Sequence, residues 1–297
     1  MVKVWFLALR PWSFTASAIP VTLGAILAYT FEGTFSFGLY LLTLFGGTLL
    51  HSGTNLINTY GDFIAGVDTI ESAETCPQLV RNILKPEQMK NAGIIAFGMA
   101  ALLGIYFVYL RGWPMLFLGL IGILGGYTYT AGPLPYKYQG LGSLLVFFLM
   151  GPLMVLGSHY VQTGVFNENV IWASLPVGFL VSGILHANDL RDIDYDQRAG
   201  IKTLALILGE KLAFPFYYLL NIAAFASLLF LIIFNILPVS SILPFLLIPK
   251  LGKILKNAHI SRLGNKDTLT FLEANSAKFH FQFGSMFIAG LLINIII

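Results

Sequence analysis

Nine stretches of about 20 mainly apolar residues run through this chain, near residues 12–30, 37–58, 87–110, 114–131, 141–162, 169–188, 212–235, 238–256 and 275–297, each long enough to cross a bilayer as a helix. Inside lipid every backbone N–H and C=O has to be satisfied within its own segment, which confines runs of this kind to helices. Composition argues against a water-soluble alternative. The chain is 57% hydrophobic and only 10% charged, whereas soluble domains carry roughly a quarter charged residues. The expected fold is all-α: a polytopic membrane protein of about nine transmembrane helices, forming a single domain over residues 1–297.

The basic residues give this count a partly independent test, because cytoplasmic loops collect Lys and Arg. Alternate segments hold Lys3 and Arg10; Arg81, Lys85 and Lys90; Lys137; Arg191, Arg198, Lys202 and Lys211; and Lys250, Lys253, Lys256, Arg262 and Lys266. The opposite side keeps Arg111, with Lys278 at the start of the last run. That asymmetry predicts a cytoplasmic N-terminus. Arg10-Pro11 interrupts the start, which fits a retained first helix better than a cleaved signal peptide. The net charge of +3 is too small and dispersed for a nucleic-acid partner, and the single Cys76 excludes an internal disulfide or a cysteine-rich metal site.

Acids gather at two places, both on the expected cytoplasmic side. One cluster closes the second run with Asn55, Asn58, Asp62 and Asp68; the other closes the sixth with Asn188, Asp189, Asp192, Asp194 and Asp196. Positions 55, 58 and 62 share a helical face, as do 188, 192 and 196, while Asp194 points elsewhere. The clusters echo each other: Asp62-x-x-Ala65-Gly66-Val67-x-Thr69 recurs as Asp196-x-x-Ala199-Gly200-Ile201-x-Thr203, as an internal duplication would produce. A single acid at a membrane end is ordinarily a solvated loop residue. Two repeated clusters with carboxamides at helical spacing suit Mg²⁺, a hard cation that takes one or two carboxylates together with substrate phosphate oxygens.

Nearby cations fit an anionic ligand: Arg81 after the first cluster, Lys137 in the loop Gly132-Pro-Leu-Pro-Tyr-Lys, and Arg198 and Lys202 in the second cluster. Positive-inside topology alone would also put them there. Tyr127 and Tyr129 end the fourth run beside that loop, where a ring face could stabilise a carbocation or simply anchor the interface.

The stretches Asn58-Thr-Tyr-Gly-Asp62-Phe-Ile-Ala-Gly66-Val-Asp68 and Asn188-Asp-Leu-Arg-Asp192-Ile-Asp-Tyr-Asp196 resemble the two aspartate-rich motifs of the UbiA superfamily of intramembrane prenyltransferases. Arg10-Pro11, Tyr129-Thr-Ala-Gly132-Pro133-Leu-Pro-Tyr-Lys137 and Gly151-Pro-Leu-Met-Val-Leu-Gly157 look most like the branch that prenylates 1,4-dihydroxy-2-naphthoate in menaquinone biosynthesis. The resemblance implies that Asn58, Asp62, Asp68, Asp192 and Asp196 bind Mg²⁺ and the diphosphate, the four aspartates as metal ligands, with Asn188 in support; Lys137, Arg198, Lys202 and Arg81 are the nearby cations expected on the polyprenyl diphosphate. Asp62, Asp192 and Tyr129 would act at the reacting centre, with Asp192 the candidate to accept the acceptor's proton. Thr59 and Asp189 depart from the branch, since bacterial naphthoate enzymes often have Asp and many have Asn at these positions.

The activity so implied is electrophilic aromatic substitution. The allylic C–O bond ionises and the electron-rich ring of an aromatic acceptor attacks, with the polyprenyl tail lying towards membrane lipid. The expected location is a bacterial inner membrane, since no transit peptide is evident, with the active site on the cytoplasmic side that the Lys and Arg asymmetry marks. Another phenolic acceptor such as 4-hydroxybenzoate is the near alternative. An ion-coupled transporter is the alternative from another class, but it would place an acid near the bilayer midplane, and no Asp, Glu, Lys or Arg lies mid-run. A CDP-alcohol phosphotransferase would need an Asp-Gly and Ala-Arg signature that the stretch after Asp62 lacks.

Overall fold

A computed structural model describes residues 1–70, 76–262 and 268–296. Lys266 and Ile297, the last residue of the ninth expected run, lie outside them. The described residues form helices α1 (Val2–Ala8), α2 (Thr15–Glu32), α3 (Phe37–Ile64), α4 (Pro86–Arg111), α5 (Trp113–Tyr127), α6 (Gly142–Phe148), α7 (Met154–Thr163), α8 (Glu168–Arg191), α9 (Ile193–Ala199), α10 (Leu204–Ile233), α11 (Ile248–Arg262) and α12 (Leu272–Ile296).

Helix boundaries follow local chemistry. Asn167 caps α8, its side chain accepting from the Asn169 N–H at 2.9 Å, with Glu168 in the first turn and Arg191 in the last, as the helix dipole favours. Pro86 opens α4, and the Lys85 N–H donates to Gln88 Oε1 at 2.9 Å. Around Pro152 a π-helical turn, Leu149–Leu153, joins α6 to α7. There a Cβ on Gly151 would stand 2.7 Å from the Gly178 Cα, so a side chain would push this turn off α8.

Among the described residues six helical segments are long and apolar enough to cross a membrane: Pro11–Glu32, Pro86–Arg111, Gly142–Thr163, Glu168–Arg191, Lys211–Ile233 and Leu272–Ile296. Three of the nine expected runs are not among them, each for a physical reason. The 28 residues of α3 include His51, Ser52, Asn55, Asn58 and Asp62, a polar set turned into the bundle that lowers its mean hydropathy. Helix α5 has 15 residues, short of a full crossing. The run at 238–256 divides into a 3₁₀ stretch, Val239–Leu247, and the basic α11.

Helix α8 forms the centre, packed against α2, α6, α7, α10 and α12. Leu23, Val177, Tyr217, Phe225, Phe279, Phe283 and Phe287 fill the space between them. Large apolar side chains face outwards instead, including Ile95, Leu102, Ile105 and Tyr109 of α4, as lipid rather than water would require.

Candidate active site

The repeated octapeptide folds into the same helix end twice. After Asp62, the Val67 N–H donates to the Asp62 carbonyl at 2.9 Å and Gly66 takes φ +72°; after Asp196, the Ile201 N–H donates to the Asp196 carbonyl at 3.2 Å and Gly200 takes φ +73°. Each is a six-to-one helix termination that needs glycine at the left-handed position. Each also leaves its aspartate in the last helical turn. The continuous face expected over 188–196 is broken, because α8 ends at Arg191 and Asp192 is the junction to α9. Asn188 and Asp192 still meet, at 3.1 Å.

The third component is the loop after α5, held against the end of α3. A Cβ on Gly61 would lie 2.8 Å from the Thr130 carbonyl oxygen, so glycine permits this close approach. The Lys137 N–H donates to the Tyr129 carbonyl at 3.0 Å and fixes the loop's return. These contacts place the Lys137 ammonium on Asp62, 2.6 and 2.8 Å from its two oxygens and 3.4 Å from Asn58 Oδ1. The Tyr138 hydroxyl donates to the same carboxylate at 2.8 Å.

The second cluster has a matching clamp. Arg191 Nε and Nη2 donate to the two oxygens of Asp192 at 2.8 and 2.7 Å, and its Nη1 donates to Glu273 Oε2 at the start of α12. Among the described residues neither Asp68 nor Asp196 is clamped by a cation in this way. Burial first, then neighbouring carboxylates, raises Asp68 to about 6; burial raises Asp196 to about 7. Burial alone would lower the Lys137 ammonium, but the Asp62 carboxylate holds it above its ordinary value. The Tyr129 phenol is pushed well up by burial and by Asp189 and Asp62, which keeps its ring neutral.

Three cavities run on from one another. A polar chamber of about 30 Å³ is lined by Asp62, Asp68, Asp192, Asp196 and the cations Arg10, Lys137 and Arg191. Arg10, Lys137 and Asn188 also line a middle cavity of about 170 Å³, whose walls include Tyr129, Tyr136, Leu149 and Met154. Leu50, Gly122, Leu149 and Met154 are shared in turn with an apolar cavity of about 340 Å³ between α3, α4, α5 and α7. An anionic head, a reacting centre and a long hydrocarbon tail could be accommodated in that order.

A family profile for UbiA prenyltransferases matches residues 17–271. The chain belongs to the UbiA prenyltransferase family. It is 39% identical over 202 residues to a 1,4-dihydroxy-2-naphthoate octaprenyltransferase of Bacillus subtilis (strain 168), an alignment covering 68% of this chain and 65% of that protein, just under two thirds of its length. It is 33% identical over 293 residues to a UbiA prenyltransferase domain-containing protein 1 homolog of Drosophila melanogaster, covering 97% of this chain and 79% of that one. An apo UbiA homolog from Aeropyrum pernix K1 shares the fold at 16% identity, with a TM-score of 0.71 over 95% of this chain and 98% of that one. So does a UbiA homolog from Archaeoglobus fulgidus bound to GPP and Mg²⁺, at 15% identity and a TM-score of 0.58, over 96% and 99%.

Of the residues expected at a UbiA site, the structure brings Asn58, Asp62, Asp68, Tyr129, Lys137, Asn188, Asp192 and Asp196 to the polar and middle cavities. It leaves three cations outside both. Arg81 and Lys202 are exposed, and Arg198 is exposed with its guanidinium 4.7 Å from the Tyr195 ring centroid and its Nε on the Asp194 carbonyl. Arg10, Arg191 and Glu273 line these cavities instead, although the expected site did not include them. Arg10 sits in the left-handed region at φ +55°, held by donating to Cys76 Sγ at 3.2 Å and Thr59 Oγ1 at 3.1 Å. An Arg-Pro pair at the mouth of the first span is the sequence signal that could have marked it.

Proposed function

We propose that this protein transfers a polyprenyl group from polyprenyl diphosphate to an aromatic acceptor, 1,4-dihydroxy-2-naphthoate, in a Mg²⁺-dependent step of menaquinone biosynthesis. The observation that carries the reading is the meeting of two sequence-remote acidic clusters in one polar chamber that opens onto apolar cavities. The enzyme would lie in a bacterial inner membrane with nine spans, α3, α5 and the 238–256 segment completing the six apolar ones, and its polar chamber facing the cytoplasm.

The donor set suits Mg²⁺, since Asp62, Asp68, Asp192, Asp196, Asn58 and Asn188 present hard oxygens only. No group of three or more His, Cys, Asp or Glu among the described residues converges as a ready-made cage. That fits an ion which completes its shell with substrate phosphate oxygens. When bound, Mg²⁺ supplies Lewis-acid compensation for charge on the leaving diphosphate.

The chain's own groups do the rest. Lys137, Arg191 and Arg10 compensate diphosphate oxygens from the chamber wall. The neutral ring of Tyr129, now 5.8 Å from the Lys137 ammonium, presents a π face beside the allylic carbon as positive charge develops. Leu149, Met150, Met154 and Val181 line the middle cavity and exclude water that would capture the cation. The acceptor ring attacks there, and a dihydroxynaphthoate substituted at its carboxylated carbon loses CO₂.

Purified protein in detergent, given labelled long-chain prenyl diphosphate with dihydroxynaphthoate or 4-hydroxybenzoate, tests this directly. Product with the naphthoate alone, abolished by EDTA, Asp62→Ala or Asp192→Ala, is expected. Product with 4-hydroxybenzoate instead would move the acceptor assignment, and none with either would overturn the reading.

A further inference from the structure

When a hydroxylated ring attacks an allylic cation, positive charge passes to the acceptor's hydroxyl, whose proton has to be held until the ring is restored, and the carboxylates of the two motifs are poorly placed to hold it. Asp62 and Asp192 each have both oxygens engaged by a cation, and all four motif aspartates line the polar chamber rather than the middle cavity. Glu273 differs. Among the described residues it is the one carboxylate lining the middle cavity, brought there by the first turn of α12 from the far end of the sequence. Its Oε2 accepts from Arg191 Nη1 and from Asn188 Nδ2, the latter at 3.3 Å, while its Oε1 has no hydrogen-bond partner among the described residues. One oxygen is tethered and the other is free.

Other groups lining that cavity are less suited. Both ring nitrogens of His51 are engaged, by the Ser13 and Ser17 hydroxyls at 3.2 Å each. The Tyr136 hydroxyl donates to the Gly125 carbonyl, and Tyr129 would have to give up its own proton before accepting one. Lys137 and Arg10 are cations.

We propose that Glu273 is the general base of the transfer, taking the acceptor's hydroxyl proton on Oε1 as the ring attacks; the inference rests on the function proposed above. A carboxylate is a weak base towards a resting phenol. As the ring carbon donates its electron pair to the allylic cation, however, the hydroxyl becomes an oxonium-like acid far stronger than a carboxylic acid. Weak basicity is then sufficient. The balance closes in two steps: the new C–C bond forms while the O–H proton passes to Glu273, giving a neutral dienone on the sp³ carbon. Loss of that carbon's proton to the departed diphosphate, or of its carboxylate as CO₂, restores the ring, and the ketone oxygen takes a proton back from Glu273. The Arg191 and Asn188 tethers occupy Oε2 and leave Oε1 as the unengaged oxygen of a residue that lines the cavity.

Glu273→Gln keeps the shape and an oxygen for Arg191 but cannot accept a proton. General-base loss predicts a fall in transfer rate of about 10²–10⁴-fold. Two readouts separate this from damage transmitted through Arg191 and Asp192. Affinity for a non-ionisable prenyl thiolodiphosphate, and the slow Mg²⁺-dependent hydrolysis of prenyl diphosphate without acceptor, should each stay within about threefold of the parent, since neither needs the base. Transfer that survives within about threefold, or hydrolysis and affinity that fall together with transfer, would overturn the proposal. An unsubstituted protein that prenylates no acceptor would overturn the functional reading and take this inference with it, an outcome distinguishable because the parent is assayed alongside.

Discussion

Replacing Lys137 with methionine tests whether the clamp on Asp62 is a stabilising part of the metal-free fold. The Lys137 and Asp62 side chains are 9% and 5% exposed, so removing the ammonium leaves a carboxylate with little water. Breaking a buried pair by deleting one partner costs about 3–5 kcal/mol. The Tyr138 hydroxyl still donates to Oδ1 at 2.8 Å, and a hydrogen bond to a charged group retains about 1.5–3 kcal/mol, which places the loss at the lower end. About 3 kcal/mol corresponds to a midpoint some 6–12 °C lower in a chain of this size. The assay is tryptophan-fluorescence thermal unfolding in detergent with EDTA at one fixed scan rate. Asp62→Asn on top of Lys137→Met should recover most of the loss, because no charge is left stranded. A single-variant drop below about 2 °C, or a double variant whose loss is the sum of the singles, would refute the argument.

Arg81→Gln, Arg198→Gln and Lys202→Gln should each leave the KM for prenyl diphosphate within about threefold of the parent, as their side chains lie outside the cavities; steady-state kinetics checks this. Gly200→Ala should destabilise by about 1–2 kcal/mol from the left-handed backbone at φ +73°, read from the thermal midpoint, since open space rules out a clash. Asp68 and Asp196 titrate near 6 and 7, above the ordinary 3.8. The folded protein therefore holds more protons than the unfolded chain between about pH 4 and 7, and metal-free stability should fall as pH rises through that window, giving a lower midpoint in EDTA at pH 8 than at pH 5.5. Gly157→Phe, built into open space on the wall of the apolar cavity, should reduce transfer from long-chain donors more than from geranyl diphosphate.

Residue patterns made the all-helical fold and both acidic clusters legible, because apolar run length and helical spacing are properties of the chain itself. The octapeptide repeat was legible too, though its physical cause, a shared left-handed glycine ending, needed the backbone. Span counting was less secure where function and hydropathy conflict. Helix α3 carries the polar face that builds the site, and that same face keeps it outside the apolar spans.

The cations were hardest to place for a related reason. Topology puts Lys and Arg on one side of the membrane whether or not they bind anything, and the short glycine-rich loops that mark Lys137 mark Lys202 equally, so position along the chain does not separate those two. What separates Lys137 is tertiary: a glycine at 61 that lets its loop reach the end of α3, and a carboxylate waiting there. Glu273 is the extreme case, since 81 residues separate it from Asp192 and it reaches the middle cavity only because α12 packs against α8. A sequence motif captures residues fixed by one local backbone. The partners that neutralise, tether and complete such a motif arrive from other helices, so a UbiA-type site read from its aspartates alone will be short of the groups that set its charge.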